Sequence, residues 1–383
     1  MKLSEKHGIF KKTKHIINFG FMKKYKFLNF ITAILVVFTM ALVTGCEGPM
    51  GPAGPKGATG DKGATGAQGS QGIAGNDGTP GTAGNMVCAQ CHNLVTKDSV
   101  TMQYERSVHG TSQIVSGKPL YIYAGQGDSR KACAICHTDE GFRERIYTGL
   151  DSVASALLVP ERIQCGTCHD FHETLDQVNE GPDYALRTMD PVSLIITKHT
   201  TSLDLPVKES NLCANCHQPR DGAPEADSTG NFYVSSNRYG PHHGPQATIL
   251  AGIGGYQMAG NSYPQSGSST HFKQATCVKC HMHSQNHEFT PKLEACNECH
   301  DQITDFDFDG TQTEIDGDLA ALKGKLVTAG LLSSGGSPVV GNYPIDQAGA
   351  LYNYILIEED RSEGVHNPAY VRALLKNSIA VFN

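Results

Sequence analysis

The sequence contains no tryptophan, and aromatic residues make up only 7% of it. A chain of 383 residues with so few large rings must draw apolar core material from another source. Basic charge is scarce too. Residues 1–45 hold eight lysines and one glutamate, and the 23 basic and 37 acidic residues that follow leave a net charge of −14. Such acidity excludes nucleic acid as a partner and argues against docking on an anionic lipid face. It suits cationic or metal-containing partners. Long apolar runs are missing as well. The best, residues 30–43, is too short for a comfortable membrane span. No repeat unit of 20–50 residues is present, which removes solenoids and propellers.

Cysteine, by contrast, is abundant and almost wholly committed to one phrase. Twelve of the thirteen cysteines fall in six copies of Cys-x-x-Cys-His. They are Cys88/Cys91/His92, Cys133/Cys136/His137, Cys165/Cys168/His169, Cys213/Cys216/His217, Cys277/Cys280/His281 and Cys296/Cys299/His300. This is the attachment signature of c-type haem: two thiols add to the vinyl groups, and the next residue ligates the iron. A zinc ribbon has no need of a histidine in fifth place six times over. A thioredoxin-like pair occurs once, and a disulfide framework leaves the histidines unexplained. Six covalent haems are therefore expected, supplying much of the core that the aromatics do not. Thioether attachment takes place outside the cytoplasm, so export is expected as well.

The N-terminus reads as a leader. Met22-Lys23-Lys24-Tyr25-Lys26 is a better start than Met1 and opens a positive n-region ahead of the apolar residues 30–43. The sequence Leu42-Val43-Thr44-Gly45-Cys46 resembles a bacterial lipobox, which implies cleavage before Cys46, a lipid on its sulfur and, with Glu47 next, the outer membrane. The alternative is an uncleaved anchor with an idle cysteine. From Gly48 to Gly84 every third residue is glycine, thirteen in succession. A strict Gly-X-Y period marks a collagen triple helix, where only glycine fits at the axis. Three chains must then associate, and 37 residues at about 3.1 Å each make a stalk of roughly 110 Å. A disordered spacer is the competing reading. The expected organisation is a signal segment over 1–45, a lipidated cysteine and stalk over 46–84, and a hexahaem domain over 85–383.

The body promises a multihaem cytochrome c fold: loop-rich, mostly short helices, little strand and a haem-templated core. A short strand is expected at Val192–Thr197. Three C-terminal helices stand out. Thr313 reads as the cap of the first, whose Ile315, Leu319, Leu322 and Leu326 form one stripe that ends at Gly330. The second covers Asp346 to Glu359, and the third follows Asn367-Pro368, with Val371, Leu374, Leu375 and Ile379 inward. Asp305, Asp307, Asp309 and Asp316, with Gly310 in sixth place, have the spacing of a calcium loop. An acidic turn that caps the following helix explains the same residues.

Six irons need six further ligands, and beyond the leader nine histidines remain: His109, His172, His199, His242, His243, His271, His283, His287 and His366. Bis-histidine ligation is the economical assignment. His172 lies three residues after His169 on the same helical face, so it belongs to a neighbouring haem. Several segments resemble the multihaem cytochromes found outside metal-reducing bacteria. They are Asn211-Leu212-Cys213 through Arg220, Pro241-His242-His243-Gly244-Pro245-Gln246, Cys277 through Met282, His287-Glu288-Phe289 and Gly364-Val365-His366-Asn367-Pro368. The resemblance covers residues 85–383 and implies that His242, His271, His287 and His366 are iron ligands. His109 and His172 complete the six, and His199, His243 and His283 are left over. The Gly-X-Y run departs from the filament-forming hexahaem members, so their end-to-end polymer is not expected here.

The expected role is electron transfer rather than catalysis. Filled iron sites would pass electrons to other multihaem cytochromes or to extracellular metal and mineral acceptors. The alternative, a multihaem reductase of a small nitrogen or sulfur oxyanion, needs an open iron and nearby acid–base groups. All six motifs carry histidine, which weighs against it.

Overall fold

The computed structural model describes residues 88–383, except 90, 175, 177, 178 and 180–182. The leader, Cys46 and the Gly-X-Y run lie outside the described residues. All described residues belong to one compact unit.

Short helices and loops dominate. Helix α1, Leu94–Arg106, starts at Asn93, whose side chain accepts from the Thr96 amide, and it buries none of its residues. Helices α2, Lys131–His137, and α3, Asp139–Thr148, meet at Thr138. Its hydroxyl donates to the Ala134 carbonyl and accepts from the Gly141 amide, so one side chain closes one helix and opens the next. Asp139 and Glu140 then favour the positive end of α3, which stops at left-handed Gly149.

Strand content is slight: three two-stranded antiparallel pairs among the described residues. The expected strand at 192–197 is cut to Val192–Ser193, which pairs with Ser202–Leu203. Ile195–Thr197 turns into a 3-10 segment instead, because left-handed Lys198 and His199 reverse the chain. Strand β1, Asn231–Val234, pairs with β2, Gly341–Pro344, across more than a hundred residues of sequence.

The C-terminal helices form the largest protein-only core. Helix α4 spans Thr311–Thr328, α5 Ile345–Asp360 and α6 Pro368–Ala380. Ile315, Leu322 and Leu326 of α4 pack with Leu351 and Leu356 of α5 and Val371, Leu374 and Leu375 of α6, all fully buried. Each contributes about 1.5–3 kcal/mol by leaving water. Inside this core the Asn353 amide accepts from the Tyr256 N–H at 2.7 Å and donates to the Tyr256 carbonyl and the Ser378 hydroxyl. Asn367 caps α6 with its side chain, and Pro368 takes the first turn, where no donor is needed.

The start of α4 corrects one expectation and bears on another. Thr313 is not its cap but lies inside the first turn. Asp307 caps it from outside, accepting from the amides of Gln312 and Thr313 and from the Thr313 hydroxyl. The Asp305 carboxylate turns back to the Asp307 amide. These hydrogen bonds hold the Asp307 carboxyl below its usual range. Of the residues with calcium-loop spacing, Asp305 and Asp307 thus take part in a capping turn. No cluster of three or more histidine, cysteine, aspartate or glutamate side chains able to hold a metal ion is found among the described residues.

Candidate cofactor sites

Among the described residues, the Cys-x-x-Cys-His phrases lie on helical or turn backbone. The histidine amide donates to the carbonyl of the first cysteine in the motifs at Cys88, Cys165, Cys213 and Cys296, at 2.8–3.0 Å. Residues i, i+3 and i+4 of one turn share a face. Both thiols and the imidazole are therefore offered to the same side.

The motifs are tied to each other by protein contacts. The Thr167 hydroxyl donates to buried Asp139 of α3 at 2.5 Å, and Arg145 of α3 donates to the Asn215 carbonyl at 3.0 Å. Two buried amides clamp the fourth motif. Asn211 accepts from the Leu205 amide and donates to the Met189 carbonyl and Asp204. Gln218 accepts from the Ile195 amide and donates to Ser193, Ala214 and Asn215 carbonyls. Ser210 joins Thr276 at 2.8 Å, and Lys279 pairs with Glu298, linking the fourth, fifth and sixth motifs. Cys136 lies near enough to Cys216, and Cys213 to Cys277, for each thiol to shift its neighbour's ionisation.

Cysteines and histidines of the second to sixth motifs line one continuous cavity of about 3060 Å³. Ordinary ligand pockets hold roughly 300–1,000 Å³, so this space is far larger than one small molecule requires. The first motif stands at the surface, with Cys88, Cys91 and His92 exposed.

The histidines fall into pairs. Every motif histidine faces one histidine from outside the motifs. His92 faces His172 at 5.9 Å between ring centroids, His137 faces His242 at 6.4 Å, and His169 faces His287 at 6.2 Å. His217 faces His109 at 6.2 Å, His281 faces His366 at 6.3 Å, and His300 faces His271 at 6.1 Å. A metal–imidazole bond is about 2.0–2.1 Å, and the bonded nitrogen lies roughly 1 Å from its ring centre, so two imidazoles on opposite sides of one metal have centroids roughly 6 Å apart. All six pairs meet that span, and the chemistry of thiols beside facing imidazoles fits covalent haem. His172 faces the histidine of the first motif rather than its neighbour His169. The three histidines outside the pairs meet carboxylates: His199 meets Asp151 at 2.5 Å, His243 meets Glu359 at 2.8 Å, and His283 meets Glu298 at 3.3 Å.

Protonation favours ligation at seven of the twelve paired histidines and tautomer at four, while at His366 burial is outweighed by the Asp360 carboxylate, which shifts the ring upward. Burial brings His109, His137 and His242 down to about 4, with His217, His242 and Arg220 respectively adding to the effect. Burial also lowers His217, His271, His281 and His287. Neutral imidazole is the ligating form. The ring's Nδ1 is engaged in many of them: His169 with the Tyr184 carbonyl at 2.9 Å, His271 with Val365 at 2.6 Å, His281 with Phe289 at 2.9 Å and His287 with Gln285 at 2.9 Å. A carbonyl can only accept, so Nδ1 carries the proton and Nε2 keeps its lone pair for a metal. His217 meets the Gln246 amide oxygen at 3.2 Å, and His366 meets the Asp360 carboxylate at 2.7 Å.

Asp360 and Arg145 carry no motif of their own and go unseen in the sequence. Only folding brings Phe289 against His109 at 5.2 Å and His287 at 5.9 Å.

Residues 43–87 match the collagen triple helix repeat family. No curated protein matches the chain. Among solved structures, the crystal structure of the outer cell wall cytochrome OcwA aligns at 20% identity with a TM-score of 0.45, over 73% of this chain and 50% of that one. The chain thus spans about half the length of that structure.

Proposed function

We propose that the chain is a stalk-borne hexahaem electron carrier. Its haem domain covers residues 85–383, and a lipid on Cys46 tethers it to the outer membrane. The observation that carries this reading is the one-to-one pairing of all six motif histidines with six others. In this reading the twelve motif cysteines hold the cofactors covalently. His92, His137, His169, His217, His281 and His300 are the proximal ligands, and His172, His242, His287, His109, His366 and His271 the respective distal ones. Bound haem would supply a one-electron iron couple that stays six-coordinate in both oxidation states. The protein's part is to fix both imidazoles of each site, hold the Nδ1 protons of four of them on carbonyl oxygens, and leave no ligand position for a substrate. The thiol contacts and shared clamps between motifs support close spacing of the sites. The collagen-like repeat is consistent with a homotrimer through the stalk. Acidic charge on the body suits delivery to extracellular metal and mineral acceptors or to other multihaem cytochromes.

Low-temperature EPR of the oxidised protein, with haem quantified, tests the assignment. Six low-spin ferric haems without a high-spin signal are expected. A sizeable high-spin signal perturbed by nitrite or cyanide would overturn it in favour of a reductase.

A further inference from the structure

One of the six pairs differs from the rest in the charge behind its ligand. The Nδ1 hydrogen bonds of His169, His271, His281 and His287 end on neutral backbone carbonyls, and that of His217 on a neutral amide oxygen. His366 alone among the paired histidines is hydrogen-bonded to a carboxylate, Asp360 Oδ1 at 2.7 Å. His172 has Asp183 at 3.6 Å, beyond hydrogen-bond reach, and its Nδ1 has no hydrogen-bond partner.

The Asp360 carboxylate is built in. The residue is 3% exposed. Its second oxygen accepts from the Ser362 hydroxyl, which leaves Oδ1 to His366. Arg361, in a left-handed conformation, reverses the chain at the end of α5, so residue 360 meets residue 366 across a tight turn. An acid at this place opposes the helix dipole, and α5 has no basic residue in its last turn. Helix stability therefore gives no reason for it.

We propose that Asp360 is a positioning residue that sets a reduction potential, making the site between His281 and His366 the lowest of the six. The inference rests on the ligation reading above. A carboxylate on the outer nitrogen of a ligating imidazole makes that imidazole a stronger donor. A stronger donor, and a negative charge buried close by, stabilise the oxidised metal over the reduced one. Low local polarity magnifies both effects. Among the described residues, the other five pairs have no carboxylate hydrogen-bonded to a ligand, and the nearest one, Asp183, stands 3.6 Å from His172.

The test is a spectroelectrochemical titration of the full-length, haem-loaded protein and its Asp360→Asn variant, with haem count and EPR on the same samples. Asparagine keeps an acceptor oxygen for His366 and removes the charge. The lowest of the six steps should rise by at least tenfold in its reduction equilibrium, about 59 mV for a one-electron couple. The other five steps and the low-spin signals should stay in place. A merely structural role for Asp360 would leave the potential unmoved, and an unmoved lowest step with six low-spin haems overturns the proposal. So does movement of a different step. Should Asp360→Asn fail to take up six haems, Asp360→Ser removes the same charge and is read in the same way. Failure of the ligation reading looks different: His366→Ala would then leave all six low-spin signals intact.

Discussion

The adjacent His242 and His243 give the sharpest test of the pairing. His242 faces His137 at 6.4 Å, while His243 turns away to Glu359 at 2.8 Å with its side chain 68% exposed. If His242 ligates and His243 does not, replacing each should have opposite spectroscopic results. The substitution has to respect the backbone, because His242 sits at φ +65°. That conformation costs an ordinary residue about 1–2 kcal/mol, whereas asparagine adopts it readily. His242→Asn therefore removes the imidazole without adding strain. One sixth of the iron should change from low spin to high spin or to a weakly ligated form, with six haems still attached through their thioethers. His243→Asn loses one largely exposed ion pair, worth about 0–1 kcal/mol, and should leave every haem low-spin. EPR and visible spectra of the two oxidised variants, normalised to haem, decide the matter. A high-spin fraction in His243→Asn and none in His242→Asn would refute the assignment and the use of ring distance behind it.

Asn353→Leu should destabilise the body by about 2–6 kcal/mol, since it strands the Tyr256 amide and carbonyl at about 1–3 kcal/mol each. A lower denaturant midpoint at unchanged slope would show it, and an unchanged midpoint would mean that water replaces the amide. Calcium added to the metal-free buffer should not shift thermal unfolding, because Asp307 is engaged in capping α4. A rise in unfolding temperature with micromolar calcium would restore the loop reading. Deleting residues 48–84 should leave a monomeric haem body in light scattering, and a trimer that survives the deletion would place association elsewhere.

Much of the site is legible in the sequence because covalent attachment has rigid spacing rules. Cys-x-x-Cys-His is local and needs no fold to be seen. The C-terminal helices are legible too, since a 3.6-residue stripe such as Ile315, Leu322 and Leu326 and a cap such as Asn367 are properties of one segment. What escapes is whatever depends on the path of the chain between segments. Asp307 could ligand a cation or cap a helix with the same atoms, and only the direction of α4 decides. Val192–Thr197 is apolar and β-branched enough for a strand, yet the reversal at Lys198 and His199 truncates it. The pairing of β1 with β2 and the clamp role of Gln218 join distant residues with no shared pattern. Asp360 looks like one of three consecutive acids at a helix end until Arg361 turns His366 onto it.

The same dependence links three of the pairs through one residue. Phe289 has φ +57°, an uncommon conformation for a bulky side chain. Left to itself the residue would relax, so its surroundings must over-determine it. They do so through three pairs at once: the ring meets His109 and His287, and the carbonyl accepts from Nδ1 of His281. Moving any one of these histidines shifts the carbonyl or the ring that positions the other two. The thiol contacts between Cys136 and Cys216 and between Cys213 and Cys277 extend that linkage to the second, fourth and fifth motifs. A chain that needed one reactive metal site could tolerate looseness at the others. A carrier of the kind proposed here would need every site at a fixed distance from the next, and a positive φ held in place at Phe289 suits that need.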